Sequence, residues 1–192
     1  MRESRGIGVD GNGLRIGATS THAEVAASPL VRERLPGLAR LAEGIGNPAV
    51  RSRGTLGGSL ANNDPATDYP AAVLGLGATV ETDRRTIAAD EFFRRLYETA
   101  LEPDELIVAV RFPLVEKAGW AKFEQPVSRF ALVGVFVSRS GGAVRVAVTR
   151  AAACVFRPQA LETALSENWS PQECDSAAIA AGDLNRDVHA SP

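Results

Sequence analysis

Hydrophobic and polar positions along the chain predict a series of short elements. Residues 14–18 alternate and predict a short strand, while residues 1–13 are charged and glycine-rich and read as a loop or frayed strand. Thr21 stands at capping-box spacing from Glu24, which predicts a short helix over 23–27. Ser28-Pro29 sets a cap before a proline at the first helical position. Pro36 opens a third helical stretch with Leu38, Leu41 and Ala42 on one face, ended by Gly44 and Gly46. Asp68 reads as an N-cap before an apolar helix that begins over 69–74. Residues 78–81 read as a strand, 82–85 as a hairpin turn, 89–96 as a short helix, and 105–112 as a strand closed by Pro113. Farther on, 131–137 and 143–148 predict a hairpin around Ser140-Gly141-Gly142. Residues 158–164 and 177–181 read as helices, the latter preceded by Ser170, Pro171 and Glu173 as start signals. The change of character after Pro113 places a boundary near Gly119 and divides the chain into 1–116 and 117–192.

The composition narrows the function classes. A chain of 192 residues with 45% hydrophobic and 23% charged residues has enough apolar material for one domain or two small ones. The balance of 21 basic against 23 acidic residues, with no basic stripe, argues against nucleic-acid binding. No apolar run is long enough for a transmembrane helix, and the first residues lack the apolar core of a signal peptide. Two cysteines, Cys154 and Cys174, fit a reduced, cytoplasmic setting. They show no metal-ligand spacing with His22 or His189, so no metal site is expected. Cys154 reads as an inert thiol in an apolar hairpin, Trp120 and Trp169 as packing residues, and Asp83-Arg84-Arg85 and Asp104-Glu105 as solvated turns.

Residues 44–67 stand apart. Glycines, asparagines and prolines alternate there with Ile45, Val50, Leu56 and Leu60, which predicts a long, structured, functional loop. Within it lies Arg53-Gly54-Thr55-Leu56-Gly57-Gly58-Ser59-Leu60. Paired glycines let a backbone approach a ligand and can expose amides as an anion-binding nest. Thr55 and Ser59 add hydroxyls, and Arg51 and Arg53 add positive charge. From the residues alone, the same stretch also reads as a tight turn. Asp68 serves equally as a plain helix cap, Lys122 as a solvated lysine, Ile107 as an ordinary strand residue and Phe130 as core.

The run from Gly46 to Pro70, with Thr55-Leu56-Gly57-Gly58-Ser59 followed by Asp64-Pro65-Ala66-Thr67-Asp68-Tyr69-Pro70, closely resembles the FAD-binding medium subunit of molybdenum hydroxylases, the xanthine dehydrogenase and carbon monoxide dehydrogenase family. The resemblance continues at Pro103-Asp104-Glu105-Leu106-Ile107, Lys122-Phe123-Glu124 and Arg129-Phe130-Ala131-Leu132-Val133-Gly134-Val135, and ends in Asp187-Val188-His189-Ala190-Ser191. It implies an α+β fold: the second lobe of a two-lobed, PCMH-like FAD-binding domain, followed by a small antiparallel sheet with helices.

The resemblance also implies the site. Thr55, Leu56, Gly57, Gly58 and Ser59 would contact FAD through amides and hydroxyls. Asp68 would hydrogen-bond the cofactor's polar chain, Ile107 would supply an aliphatic contact, and Lys122 would lie near the ring. Phe130 stands where tyrosine is frequent, keeping a stacking surface without the hydroxyl. The implied role is electron transfer from 2Fe–2S clusters on a small subunit, through FAD, to NAD or another acceptor. Molybdopterin would sit on a large subunit. The family's upstream Ala-Gly-Gly-x-Ser loop has no counterpart before Leu14, and family members continue past the His-Ala-Ser motif. The chain is therefore expected to be trimmed at both ends, with weakened or lost FAD affinity. The alternative is a flavin-free structural fragment that self-associates, a homodimer among its forms. A stand-alone flavoprotein is the remaining reading, disfavoured by the Asp-Pro-Ala-x-Asp-x-Pro signature.

Overall fold

Explicit start signals build the first half of the chain in the computed structural model, which describes residues 4–127, 130–176 and 184. Strands β1 (Ile7–Asp10) and β2 (Gly13–Gly17) form a hairpin, so part of the segment expected as a loop is a paired edge strand. Helices α1 (His22–Ala27), α2 (Pro29–Arg34) and α3 (Pro36–Glu43) follow. Thr21 Oγ1 accepts the Glu24 amide at 3.1 Å, and Glu24 Oε2 accepts the Thr21 amide at 2.7 Å, completing the capping box. Ser28 Oγ caps α2 by accepting the Val31 amide. Leu38, Leu41 and Ala42 of α3 are buried together, as their spacing predicts.

The stretch 44–67 is not a loop. It holds α4 (Pro48–Arg53) and α5 (Leu56–Asn62). The residues that read as loop formers are caps: Asn47 Oδ1 accepts the Val50 amide, and Thr55 Oγ1 accepts the Gly58 amide. Helix α6 (Tyr69–Gly75) comes next, wholly buried. Then follow β3 (Thr79–Thr82), β4 (Thr86–Ala88), α7 (Ala89–Phe92), β5 (Phe93–Arg95), β6 (Glu98–Thr99) and β7 (Ile107–Pro113). The helix expected over 89–96 stops after one turn. Phe92 is fully buried, Phe93 packs edge-on to it, and the chain turns back through Tyr97 at positive φ.

The second part comprises β8 (Lys117–Glu124), β9 (Ala131–Ser140), β10 (Ala143–Thr149), α8 (Gln159–Glu167) and α9 (Gln172–Ser176). Strand β8 alternates in burial, with Ala118, Trp120 and Lys122 facing inward and Lys117, Gly119, Ala121 and Phe123 exposed, but a lysine on the inner face and a phenylalanine on the outer one hide that alternation from the hydropathy pattern. Gly119, the expected break, lies inside β8 opposite Val137. The predicted helix over 177–181 and the motif at 187–191 lie outside the described residues.

Among the described residues, a five-stranded antiparallel sheet runs β1-β2-β7-β3-β4, and a three-stranded one runs β10-β9-β8. The α+β class expected from the sequence is the class observed. One core joins the helices to both sheets: Leu14, Ile16, Val110 and Phe112 meet Leu38, Leu41, Leu56 and Leu60, and Trp120 and Phe136 of the second sheet join them. Ser138 Oγ donates to the Gly75 carbonyl at 2.7 Å, stitching β9 to α6. A smaller cluster under α8 packs Val144, Val146 and Val148 on Leu165.

Two expectations about single residues change. Glu105 is buried rather than solvated. It accepts from Arg85 at 2.9 Å, from Thr82 Oγ1 and from the Glu102 amide, and Arg85 above all holds its carboxyl down at about 2. Cys154 lies beyond β10 rather than in the hairpin. It is half-buried, with its sulfur accepting from Asn63 Nδ2 at 3.7 Å, and burial pushes the thiol's pKa up.

Candidate cofactor-binding cleft

Helix α5 sorts its residues by face. Thr55, Gly58, Ser59 and Asn62 recur at helical spacing and line a cleft of about 570 Å³. Leu56, Gly57 and Leu60 face the other way and are buried. The size is that of an ordinary small-molecule site. Its remaining wall includes Ile45, Val50, Asp64, Thr67 and Phe130, together with His22 and Asp68.

The glycine pair works differently from a backbone nest. The Leu56 amide donates to the Ser20 carbonyl at 3.0 Å, and the Gly57 amide donates to the Ala18 carbonyl at 2.8 Å. These bonds dock α5 onto the segment between β2 and α1. The approach is so close that a Cβ on Gly57 would lie 2.6 Å from the Ala18 methyl. The amides expected to cradle a ligand are thus engaged inside the fold. The Gly58 amide is likewise engaged, by Thr55 Oγ1, and the cleft is offered instead the hydroxyls of Thr55 and Ser59, the Asn62 amide and the side-chain-free surface at Gly58.

Asp68 occupies the N-cap position of α6, but its side chain makes no cap hydrogen bond. It turns to Lys122 of β8, whose Nζ donates to Oδ2 at 2.9 Å and to the Gly44 carbonyl at 2.8 Å. Both side chains are almost fully buried, so Lys122 is an internal cation and not a solvated one. Burial raises the Asp68 carboxyl to about 6 against the opposing pull of Lys122. Its other oxygen, Oδ1, is buried without a partner. Phe130 lines the cleft half-exposed. Ile107 begins β7 opposite Thr82 and packs on the core, away from the cleft wall. The structure therefore brings Thr55, Gly58, Ser59, Asp68 and Phe130 to one cavity. It places Leu56 and Gly57 behind it, Lys122 against Asp68, and Ile107 elsewhere.

Sequence reasoning missed His22, Asn62, Asp64 and Thr67. Asn62 continues the spacing of Thr55 and Ser59, a signal visible only once 56–62 is known to be helical. His22 has no local signal. It is brought in by its amide, which donates to the Gly54 carbonyl at 3.0 Å. A cleft that combines hydroxyls, a side-chain amide and a half-paired carboxylate with apolar and aromatic surface suits a ligand carrying both a hydroxylated chain and a flat ring.

Residues 1–115 match the family model described as FAD binding domain in molybdopterin dehydrogenase. The chain belongs to this family. The medium chain of carbon monoxide dehydrogenase from Hydrogenophaga pseudoflava is 37% identical over 81% of this chain and 58% of its own length. The nicotine 6-hydroxylase medium subunit of Paenarthrobacter nicotinovorans is 35% identical over 94% of this chain and 69% of its own length. The chain thus spans between 58% and 69% of these two relatives. Among solved structures, a carbon monoxide dehydrogenase from Hydrogenophaga pseudoflava superposes with a TM-score of 0.85 at 36% identity, covering 94% of this chain and 68% of that one. Quinoline 2-oxidoreductase from Pseudomonas putida 86 superposes with a TM-score of 0.88 at 27% identity, covering 100% and 72%. The family span contains the whole of α5 and α6, and with them most of the cleft. Among the described residues, no helix is long and apolar enough to cross a membrane.

Proposed function

We propose that this chain is the FAD-holding part of a molybdenum hydroxylase medium subunit and serves electron transfer rather than substrate chemistry. The observation that carries this reading is the polar face of α5, Thr55, Ser59 and Asn62, which lines one cleft together with Asp68, all four inside the family span. The Thr55 and Ser59 hydroxyls would hold the cofactor's polar chain, with Gly58 leaving room for its close approach. Asp68 Oδ1 would accept a hydrogen bond from it, held in orientation by Lys122 on Oδ2. Phe130 offers a ring face beside the cleft. Leu56 and Gly57 act by fixing α5 on Ala18 and Ser20, and Ile107 acts through core packing. FAD supplies the redox chemistry when bound, and the protein supplies position and charge. In the assembled enzyme, electrons arrive from 2Fe–2S clusters on a small subunit and leave to NAD or another acceptor. A large molybdopterin subunit oxidises the substrate, and the setting is cytoplasmic.

Titration of FAD fluorescence with the purified chain tests the reading. Binding on the order of micromolar, weakened about tenfold in Asp68→Ala, is the expected result. A wild-type chain that leaves FAD fluorescence unchanged at millimolar protein would overturn it and assign the chain the flavin-free, self-associating role.

A further inference from the structure

A second cavity of about 450 Å³ adjoins the cleft and shares Asp64, Ala66, Val127 and Phe130 with it. Two further wall residues, Tyr97 and Arg150, have left-handed backbones, with φ of 54° and 71°. A non-glycine residue keeps that conformation only where its surroundings impose it, and such residues gather at ligand sites. Tyr97 also leaves its side chain 59% exposed, so burial of its ring does little to offset the unfavourable backbone.

One side chain imposes the conformation. Asn63, the C-cap of α5, is 2% exposed and is itself left-handed, with φ of 44°. Its Nδ2 donates to the Arg95 carbonyl and to the Glu98 carbonyl, each at 2.8 Å. Arg95 and Glu98 are paired across β5 and β6, so the two bonds grip both ends of the turn that carries Tyr97. The Tyr97 amide donates in return to the Asn63 carbonyl at 3.3 Å. The turn is thereby clasped to the end of the helix whose polar face lines the cleft. A hairpin that had only to reverse would be served by glycine at position 97, with no clasp.

We propose that Tyr97 is a further cofactor contact, its ring packing against the flat flavin ring in the second cavity, and that Asn63 is the residue that positions it. The inference rests on the FAD reading above and deepens it. Phe130 belongs to both cavities and so stands where one passes into the other. With the polar chain of the cofactor along α5, a flat ring beyond it meets Phe130 and Tyr97 together. Tyr97 supplies there a phenol that Phe130 lacks.

The chain has two tyrosines, Tyr69 and Tyr97, so protein labelled with fluorotyrosine gives two fluorine resonances, assigned by Tyr97→Phe. FAD titrations would compare wild type with Tyr97→Phe, Tyr97→Leu, Asn63→Gly and the double variant Asn63→Gly/Tyr97→Leu, with thermal melts of the FAD-free proteins alongside. Leucine removes the ring and keeps a side chain at the same backbone position. Glycine keeps the left-handed cap of α5 and removes only the clasp. The expected result is FAD affinity about fivefold weaker in Tyr97→Leu and in Asn63→Gly, near wild type in Tyr97→Phe, and no weaker in the double variant than in either single one. The Tyr97 resonance should shift when FAD is added to wild type. Wild type that binds FAD while Tyr97→Leu binds equally well, or an unmoved Tyr97 resonance at saturation, overturns the contact and leaves the FAD reading standing. Asn63→Gly that melts lower but binds FAD as wild type does, or losses that multiply in the double variant, overturns the positioning role. Wild type that binds no FAD overturns the FAD reading and this inference together.

Discussion

Replacing Lys122 with methionine removes the charge partner of Asp68 while keeping an unbranched side chain in β8. The two charged atoms stand 2.9 Å apart with side chains 7% and 4% exposed. In a partly buried site, with an effective dielectric near 20, that attraction is about 6 kcal/mol before desolvation is counted. Removing one partner of a buried pair leaves a stranded charge and costs about 3–5 kcal/mol. The Gly44 carbonyl loses its donor as well. Domain stabilities run at about 5–15 kcal/mol, so the loss is large.

The pH dependence fixes the cause. In the native protein Asp68 sits at about 6 against an ordinary 3.8. The folded state therefore holds this proton more tightly than the unfolded chain. Stability attributable to Asp68 is greatest below pH 3.8 and falls as pH rises through 6, by about 3 kcal/mol. Without Lys122 the carboxyl protonates at still higher pH. The deficit of Lys122→Met relative to wild type should thus be full at pH 8 and shrink toward pH 5. Lys122→Met/Asp68→Asn buries no charge and should recover most of the loss at pH 8. Urea unfolding followed by tryptophan fluorescence is the assay, since Trp120 lies in the same strand, nearly buried. With a slope near 2 kcal/mol/M, the midpoint should drop by roughly 2 M. A deficit below about 1 kcal/mol at pH 8, or one that does not change with pH, would refute the buried-pair argument.

Gly57→Ala sets a methyl 2.6 Å from that of Ala18 and 3.0 Å from its carbonyl oxygen, both on a clamped segment. A cost of about 1–3 kcal/mol is expected, read as a lower thermal midpoint already present without FAD. An unchanged midpoint would show that α5 can lift off Ala18 freely. Glu105→Gln removes a carboxylate that Arg85 holds at about 2 in place of the ordinary 4.5. Its stabilisation is complete above 4.5 and is lost as pH falls through 2, so wild type and variant should differ at pH 7, draw together below pH 4.5 and meet only near pH 2 in acid-unfolding curves. Parallel curves would deny the pair its role.

Much of this protein is legible in the sequence because the signals are local. Thr21 with Glu24, Ser28 with Pro29, and Gly141-Gly142 act on amides and dihedrals within four residues, and each element starts or turns where they say. The run from Gly46 to Pro70 identifies the family, and Thr55, Ser59, Asp68 and Phe130 of its implied site do reach one cleft. The same local signals were hidden in 44–67, where Asn47 and Thr55 look like loop formers until the helices they cap are seen. Tertiary structure decided the rest: which face of α5 meets the cleft, that the Leu56 and Gly57 amides are engaged by Ser20 and Ala18, and that Asp68 pairs with Lys122 rather than capping its helix. It also brought His22 beside Gly54 and left its Nδ1 without a partner. The physical reason is one of range. Capping and turn preferences are settled by neighbours along the chain, whereas burial, charge pairing and the satisfaction of a polar atom depend on groups that only the folded chain brings together.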